Sequence, residues 1–349
     1  MNTPVENIHK ILIVVIAHMG DVILATPLTR ALKRRFPGAE IDLLISPIAK
    51  EAAMHNPYVD HQIIYDLDNL QSSALRPLIQ ELQNKTYDLA LSLNDDLIGA
   101  MLTGLSCARY RLGFENKLQP NLFTHTVKPP TKLLHQSEKY LEILKPLGRI
   151  EQDSSIEFKV FESERVHLYH KLDLSSTKPL IVLCPFSSHK HKNWTSENWI
   201  AIINYLSKKA QCILIGSEKE LPEIEKIHAA TGNAGIIAAG KLTLGESAAL
   251  IKAANLFITV DTGPMHIAQA FDTPVIVLMG PTHSRVWGPR NRYDIVLRSL
   301  RCPCAPCWQL YKNYCNFECK DHSCMTQITA DEVIKAANYV LNMQRKIWA

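Results

Sequence analysis

Short apolar runs alternate with amphipathic stretches from the start of the chain. After its first residue, Lys10–Ile16 is continuously apolar, the pattern of a parallel strand buried on both faces. Val22–Phe36 follows with Leu24, Leu28, Ala31 and Leu32 at helical spacing, and Pro37-Gly38 ends it. Strand Ile41–Ile45, helix Pro47–His55, strand Gln62–Tyr65, helix Leu70–Gln83 and strand Tyr87–Leu93 are predicted next. Leu147–Lys178 is polar and weakly periodic, with Asp153-Ser154-Ser155 and Ser175-Ser176-Thr177, and marks a boundary between domains 1–160 and 161–349. The rhythm then restarts. Strands are predicted at Pro179–Cys184, Gln211–Gly216, Ala234–Ala238, Leu256–Val260 and Val275–Met279. Helices are predicted at Ser196–Ala210, Glu218–Ala230, Ser247–Ala254, Pro264–Phe271 and Ala330–Gln344. The expected fold class is α/β, two Rossmann-like doubly wound domains facing a cleft, with ligands at the carboxyl ends of strands.

A chain of 349 residues suits two domains, and 46% apolar with 21% charged residues is globular composition. The net charge of +4 permits an anionic partner without demanding nucleic acid. The longest clean apolar run is Ile11–Ala17, far short of a bilayer span, and Met1–Lys10 holds no apolar signal core. A cytoplasmic protein is expected, able to rest on the inner face of the membrane.

Four turns at strand ends carry candidate chemistry. Asp21, in Ala17-His18-Met19-Gly20-Asp21, opens a helix, whose positive end favours an ionised carboxylate able to take a proton; an ordinary N-cap explains the same residue. Pro185–Trp194 offers the hydroxyls of Ser187 and Ser188 and the charges of Lys190 and Lys192, suited to a diphosphate leaving group or simply to a solvated basic turn. In Val260–His266, Asp261, Thr262 and Gly263 precede a helix whose free N–H groups suit an anion, with His266 one turn on; a capped helix and a structural histidine are the plain alternatives. Met279–His283 is a turn placed to line the same pocket. Arg30, Lys33, Arg34 and Arg35 form a basic helix face, either steering an anionic partner or merely solvated, and His135, Ser137, Glu138 and Lys139 are candidates for one further helix. Neither G-x-G-x-x-G nor G-x-x-x-x-G-K-[ST] occurs, which argues against dinucleotide enzymes and P-loop NTPases.

Together these segments resemble glycosyltransferase family 9, the bacterial heptosyltransferases. The likeness is carried by Ile11–Ile16 with His18–Leu28, by Val260–Ala270 with Pro274 and Gly280-Pro281-Thr282, by Lys192-Asn193-Trp194 with Trp199, and by Gly240–Thr243 leading into Leu250-Ile251. The opening is most similar to members that add a side heptose to the inner core. The resemblance implies a GT-B fold and inverting transfer of heptose from ADP-heptose to the lipopolysaccharide core, with no cofactor required for catalysis. It assigns Asp21 as the base. It places Ser187, Ser188, Lys192, Thr262 and Gly263 at the donor diphosphate and Asp261 at the donor's heptose hydroxyls, with His266 beside them.

Of nine cysteines, six fall between Cys302 and Cys324. Cys304 and Cys307, with Cys319 and Cys324, have spacing compatible with a structural zinc or iron; free thiols in a loop are the alternative. Related transferases that heptosylate autotransporter proteins carry an iron-binding cysteine finger, so a protein acceptor is the second expectation. A cysteine-finger nucleic-acid-binding protein is the third, disfavoured because little aromatic and basic interleaving surrounds the cysteines; a non-hydrolysing sugar-nucleotide epimerase on the same fold is the fourth.

Overall fold

The computed structural model describes residues 5–66, 72–115, 121–148, 153–174, 177–307, 319 and 322–348. The chain divides into two compact units, Met1–Lys159 and Val160–Ala349. In the first, the order is β1 (Lys10–Val15), α1 (Met19–Leu24), α2 (Thr26–Arg35), β2 (Glu40–Ile45), α3 (Lys50–Met54), β3 (His61–Ile64), α4 (Ser72–Asn84), β4 (Leu89–Ser92), α5 (Leu97–Leu105), β5 (Tyr110–Phe114), β6 (His125–Val127) and α6 (Gln136–Glu142). In the second it is α7 (Glu162–Lys171), β7 (Leu180–Cys184), α8 (Ser196–Leu206), β8 (Gln211–Leu214), α9 (Leu221–Ala230), β9 (Ile236–Ile237), α10 (Leu244–Ala253), β10 (Leu256–Val260), α11 (Gly263–Gln269), β11 (Val275–Leu278), α12 (Ser284–Trp287), β12 (Ile295–Leu297), α13 (Ser323–Thr326) and α14 (Ala330–Trp348).

Each unit holds one six-stranded parallel sheet, ordered β3-β2-β1-β4-β5-β6 and β12-β11-β10-β7-β8-β9. Both are the doubly wound order, so the chain reverses its direction of strand addition between β1 and β4 in one sheet and between β7 and β10 in the other. The α/β expectation is met. The uninterrupted apolar runs follow from burial on both faces. In the second unit Ile181, Leu183, Leu214, Ile258 and Leu278 pack with Trp199, Ile224 and Val333 on one side of the sheet. The alternate residues Val182, Ile213, Phe257 and Val277 pack with Leu168, Leu250 and Met265 on the other. Each such side chain contributes about 1.5–3 kcal/mol on burial.

Several elements depart from the pattern reading for identifiable reasons. The helix expected over Val22–Phe36 is two helices, because Pro27 near the start of α2 has no N–H to give the preceding turn. The Thr26 hydroxyl satisfies the Ile23 carbonyl instead, at 2.9 Å. The helix expected at Pro47–His55 begins as a 3-10 turn, Pro47–Ala49, before α3. The start of α10 lies upstream of the expected Ser247, at a capping box in which the Thr243 hydroxyl accepts from the Glu246 N–H at 3.1 Å and Glu246 accepts from the Thr243 N–H. Elements α5, β5, β6, α7, α12, β12 and α13 have no counterpart in the pattern reading. Residues 70 and 71 of the predicted Leu70–Gln83 helix lie outside the described residues.

The basic face expected on α2 is also corrected. Arg30 is only 1% exposed. Its guanidinium pairs with Glu157 at 2.6 Å and Asp153 at 3.0 Å, and donates to the carbonyls of Asp153 and Ser155 at 2.7 and 3.0 Å. Lys33 pairs with Asp60 at 2.6 Å. Arg30 thus ties the 153–157 segment to α2, and Glu157 also accepts from the Tyr58 hydroxyl at 2.8 Å. A buried guanidinium deprived of a carboxylate is costly, so Glu157→Ala should lower stability by about 2–3 kcal/mol in urea unfolding; a loss below about 0.5 kcal/mol, the size of an ordinary surface substitution, would contradict this account.

Candidate functional site

In the first unit, candidate chemistry collects where β1 and β4 diverge. The ends of these strands are joined by Asn94, which accepts from the Ile16 N–H at 2.9 Å and donates to the Ile16 carbonyl at 3.0 Å. The chain after β1 turns directly into α1. The helix begins at Met19 with His18 in the N-cap position, so Asp21 is not the cap but a first-turn residue. It stays within reach of the positive helix end, and no side-chain capping bond fills that position. Asp21 is partly exposed. Tyr140, buried on α6, donates from its hydroxyl to Asp21 Oδ1 at 3.0 Å. The neighbouring Lys139, also buried, is ion-paired with the exposed Asp95 that follows β4. The expected helix around His135, Ser137, Glu138 and Lys139 is therefore present as α6, with His135 as its N-cap. Tyr140 and Asp95 were missed because single polar residues outside a motif carry no sequence signal.

In the second unit, the turns after β7, β10 and β11 meet at the ends of three adjacent strands. Lys192 Nζ lies 2.9 Å from Asp261 Oδ2. Thr282, from the turn after β11, donates to the same oxygen at 2.6 Å. Burial alone would raise the Asp261 pKa, but the Lys192 charge and the hydrogen bonds from Thr282 and Lys192 outweigh it, and the carboxyl sits below its ordinary value. His266, buried on α11, is pushed down to about 4 by burial first and by the Lys192 charge, against the pull of Asp261. Its Nδ1 lies 3.3 Å from the donating Gln269 Nε2. At neutral pH the group is a cation, a carboxylate and a neutral imidazole.

The other expected residues take distinct places. Ser187 is buried within its own loop: its N–H donates to Asn193 at 2.8 Å and its hydroxyl accepts from the His189 N–H at 3.4 Å. Ser188 is exposed. Thr262 and Gly263 directly follow Asp261, and Thr262 is the N-cap of α11 without a side-chain capping bond. The tryptophans after Lys192 are framework: Trp194 and Trp199 are buried edge to face at 5.3 Å, and Trp194 Nε1 donates to the Ile328 carbonyl at 2.8 Å. That anchor sits two residues from Lys192.

The cysteine segment packs against this same region. Cys302 and Cys324 are buried in the apolar cluster with Met325 and Ile328. A Cβ at Gly280 would stand 2.8 Å from Cys324 Sγ and 2.6 Å from Met325 Sδ, so only glycine fits the turn that leads to Thr282. Cys302 and Cys304 sulfurs are 3.4 Å apart, Cys304 is exposed, and Cys307 and Cys319 are partly exposed. Burial, with the neighbouring cysteine charges, pushes the Cys324 thiol up to about 12. Among the described residues no three His, Cys, Asp or Glu side chains stand as a metal-ligand set, so the expected zinc or iron at Cys304, Cys307, Cys319 and Cys324 finds no support there. Cys315 lies outside the described residues. No helix among the described residues is long and apolar enough to cross a membrane.

Two doubly wound units, each with charged side chains at the point where strand order reverses, are the arrangement of a GT-B glycosyltransferase. Over residues 75–317 the chain matches the model for "Glycosyltransferase family 9 (heptosyltransferase)", and it belongs to that family. It is 28% identical to lipopolysaccharide heptosyltransferase 3 of Escherichia coli across 77% of this chain and 83% of that one. With lipopolysaccharide heptosyltransferase 2 of Salmonella typhimurium it shares 26% identity across 83% and 88%. The solved structure of E. coli ADP-heptose lps heptosyltransferase II superposes with a TM-score of 0.79 at 22% identity, covering 96% of this chain and 99% of that one. The chain is therefore a glycosyltransferase.

The depressed His266 pKa has a measurable consequence. A histidine held neutral in the fold but free to protonate when unfolded makes stability fall as pH drops from about 6.5 to about 4, by about 3 kcal/mol for a shift of this size. Asp261, whose folded pKa is lowered, adds its own loss only below its ordinary value of 3.8. Urea unfolding across this window should therefore show a flatter profile for His266→Asn than for the wild type; identical slopes would contradict the assignment.

Proposed function

We propose that this protein transfers L-glycero-D-manno-heptose from ADP-heptose to the inner core of lipopolysaccharide, with inversion at the anomeric carbon and Asp21 as the general base. The observation that carries this reading is the ion pair of partly buried Lys192 with buried Asp261 at one strand-order reversal, taken with the carboxylate of Asp21 at the other. Asp21 takes the proton of the acceptor hydroxyl as its oxygen bonds to the anomeric carbon. The bond from that carbon to the diphosphate breaks, and ADP leaves with the bonding pair. Lys192, with Ser187, Ser188, Thr262 and Gly263, meets the diphosphate charge, while Asp261 accepts from heptose hydroxyls and neutral His266 lines the same pocket. No cofactor enters these steps.

The names of the relatives support the donor and the acceptor class, since they describe lipopolysaccharide heptosyltransferases and an ADP-heptose enzyme. Within that class, the likeness of His18–Leu28 favours the side-heptose position. An acceptor embedded in the inner membrane requires the enzyme to work at its cytoplasmic face, by peripheral association.

Two measurements test the proposal. Asp21→Ala should reduce transfer by about 10²–10⁴-fold while ADP-heptose still raises the melting temperature as it does for the wild type. Transfer near the wild-type rate would remove Asp21 as the base. Among nucleotide-sugars, ADP-heptose should stabilise selectively, and among acceptors a truncated lipopolysaccharide core should be glycosylated in preference to an autotransporter fragment.

A further inference from the structure

Asp21 is held by a side chain from a distant part of the sequence. Tyr140 lies 119 residues away, on α6, and its hydroxyl donates to Asp21 Oδ1 at 3.0 Å. The ring is 2% exposed, so it has little freedom to swing aside. Gln136, one turn earlier on α6, is also buried. Burial first, and then the charge of Asp21, hold the Tyr140 hydroxyl well above the ordinary phenol range, so it keeps its proton wherever the protein is folded.

We infer that Tyr140 is the positioning residue for the catalytic base Asp21. This rests on the proposed role of Asp21. A hydrogen bond at Oδ1 sets the plane of the carboxylate and so the direction in which Oδ2 points. A base that must meet a hydroxyl proton along one line loses rate when it rotates. The same bond favours the ionised carboxylate, keeping the base unprotonated to lower pH. Asp21 itself sits on a helix of only six residues, α1. The elements packed on α1 are α2, α3, α6 and the 3-10 turn before α3. Their titratable groups are Arg30, Lys33, Arg34 and Arg35, then Lys50 and Glu51, then Glu138, Lys139, Tyr140 and Glu142, with none on the 3-10 turn. Arg30 and Lys33 are engaged with carboxylates elsewhere, and Lys139 with Asp95.

Steady-state transfer measured from about pH 5 to 9 on the full-length enzyme tests this. Tyr140→Phe, which keeps the ring, should lower kcat roughly tenfold with little change in KM for the nucleotide-sugar, and move the acid limb of kcat upward by about 0.5–1 pH unit. Urea unfolding of Tyr140→Phe, measured alongside, separates a loss of folded enzyme from a loss of position, since kcat is then referred to the folded fraction. In an Asp21→Asn background, Tyr140→Phe should cost nothing further. An unmoved acid limb with kcat within about twofold, or an equal loss in both backgrounds, would overturn the positioning role. If Asp21→Asn alone transferred at the wild-type rate, the base assignment would fail, and the positioning role with it. An inactive Asp21→Asn beside an unmoved Tyr140→Phe profile would remove the positioning role only.

Discussion

A parallel sheet covered by helices on both faces leaves water access only at its strand ends, and in this chain all the chemistry follows from that constraint. β1, β7 and β10 carry almost nothing but aliphatic side chains, and the first polar groups of consequence appear within a few residues of their carboxyl ends. Where strand order reverses, neighbouring loops splay to opposite sides and leave room between them. Asp21 and Asp95 stand at one such point, and Lys192 and Asp261 at the other. The repeated topology supplies the positions, and the individual loops supply the chemistry.

What fixes those loops is packing remote from the reacting groups. The basic loop after β7 is pinned by an indole that reaches across to the start of α14, and the turn after β11 is pressed on a thiol and a thioether through a glycine. The six cysteines of the 302–324 segment read first as metal chemistry, yet two of them lie in the apolar cluster behind the site. A buried thiol is a small apolar side chain. In the first unit the corresponding support comes from α6, which presents a cation and a phenol at successive positions to two carboxylates.

The sequence pattern disclosed the sheets well, because double-sided burial writes long aliphatic runs that hardly depend on context. Helix limits were less legible where a proline or a hydroxyl changed the local hydrogen bonding, as at Thr26-Pro27, although the Thr243-x-x-Glu246 capping box was there to be read. The stretch from residue 94 to residue 146 gave little, because α5 and α6 are short and the buried polar positions of α6 are satisfied by distant partners. The site divided in the same way. Residues at strand ends within a motif, such as Asp21, Lys192 and Asp261, were visible. Tyr140 and Arg30 acquire their roles only when residues far apart in the chain come together, and Arg30 was misread because burial of a guanidinium against two carboxylates has no local signal.

The Lys192–Asp261 pair sets a condition on what the second unit can hold. At rest its charges cancel, and the adjacent imidazole adds none. A simple anion that drew Lys192 away would strand a buried carboxylate with one hydroxyl donor, and that desolvation penalty opposes its entry. A ligand that brings an anion for the lysine together with hydroxyls for Asp261 leaves neither side deficient. Under the donor placement proposed above, the pair rewards charge and hydroxyls presented together more than either alone.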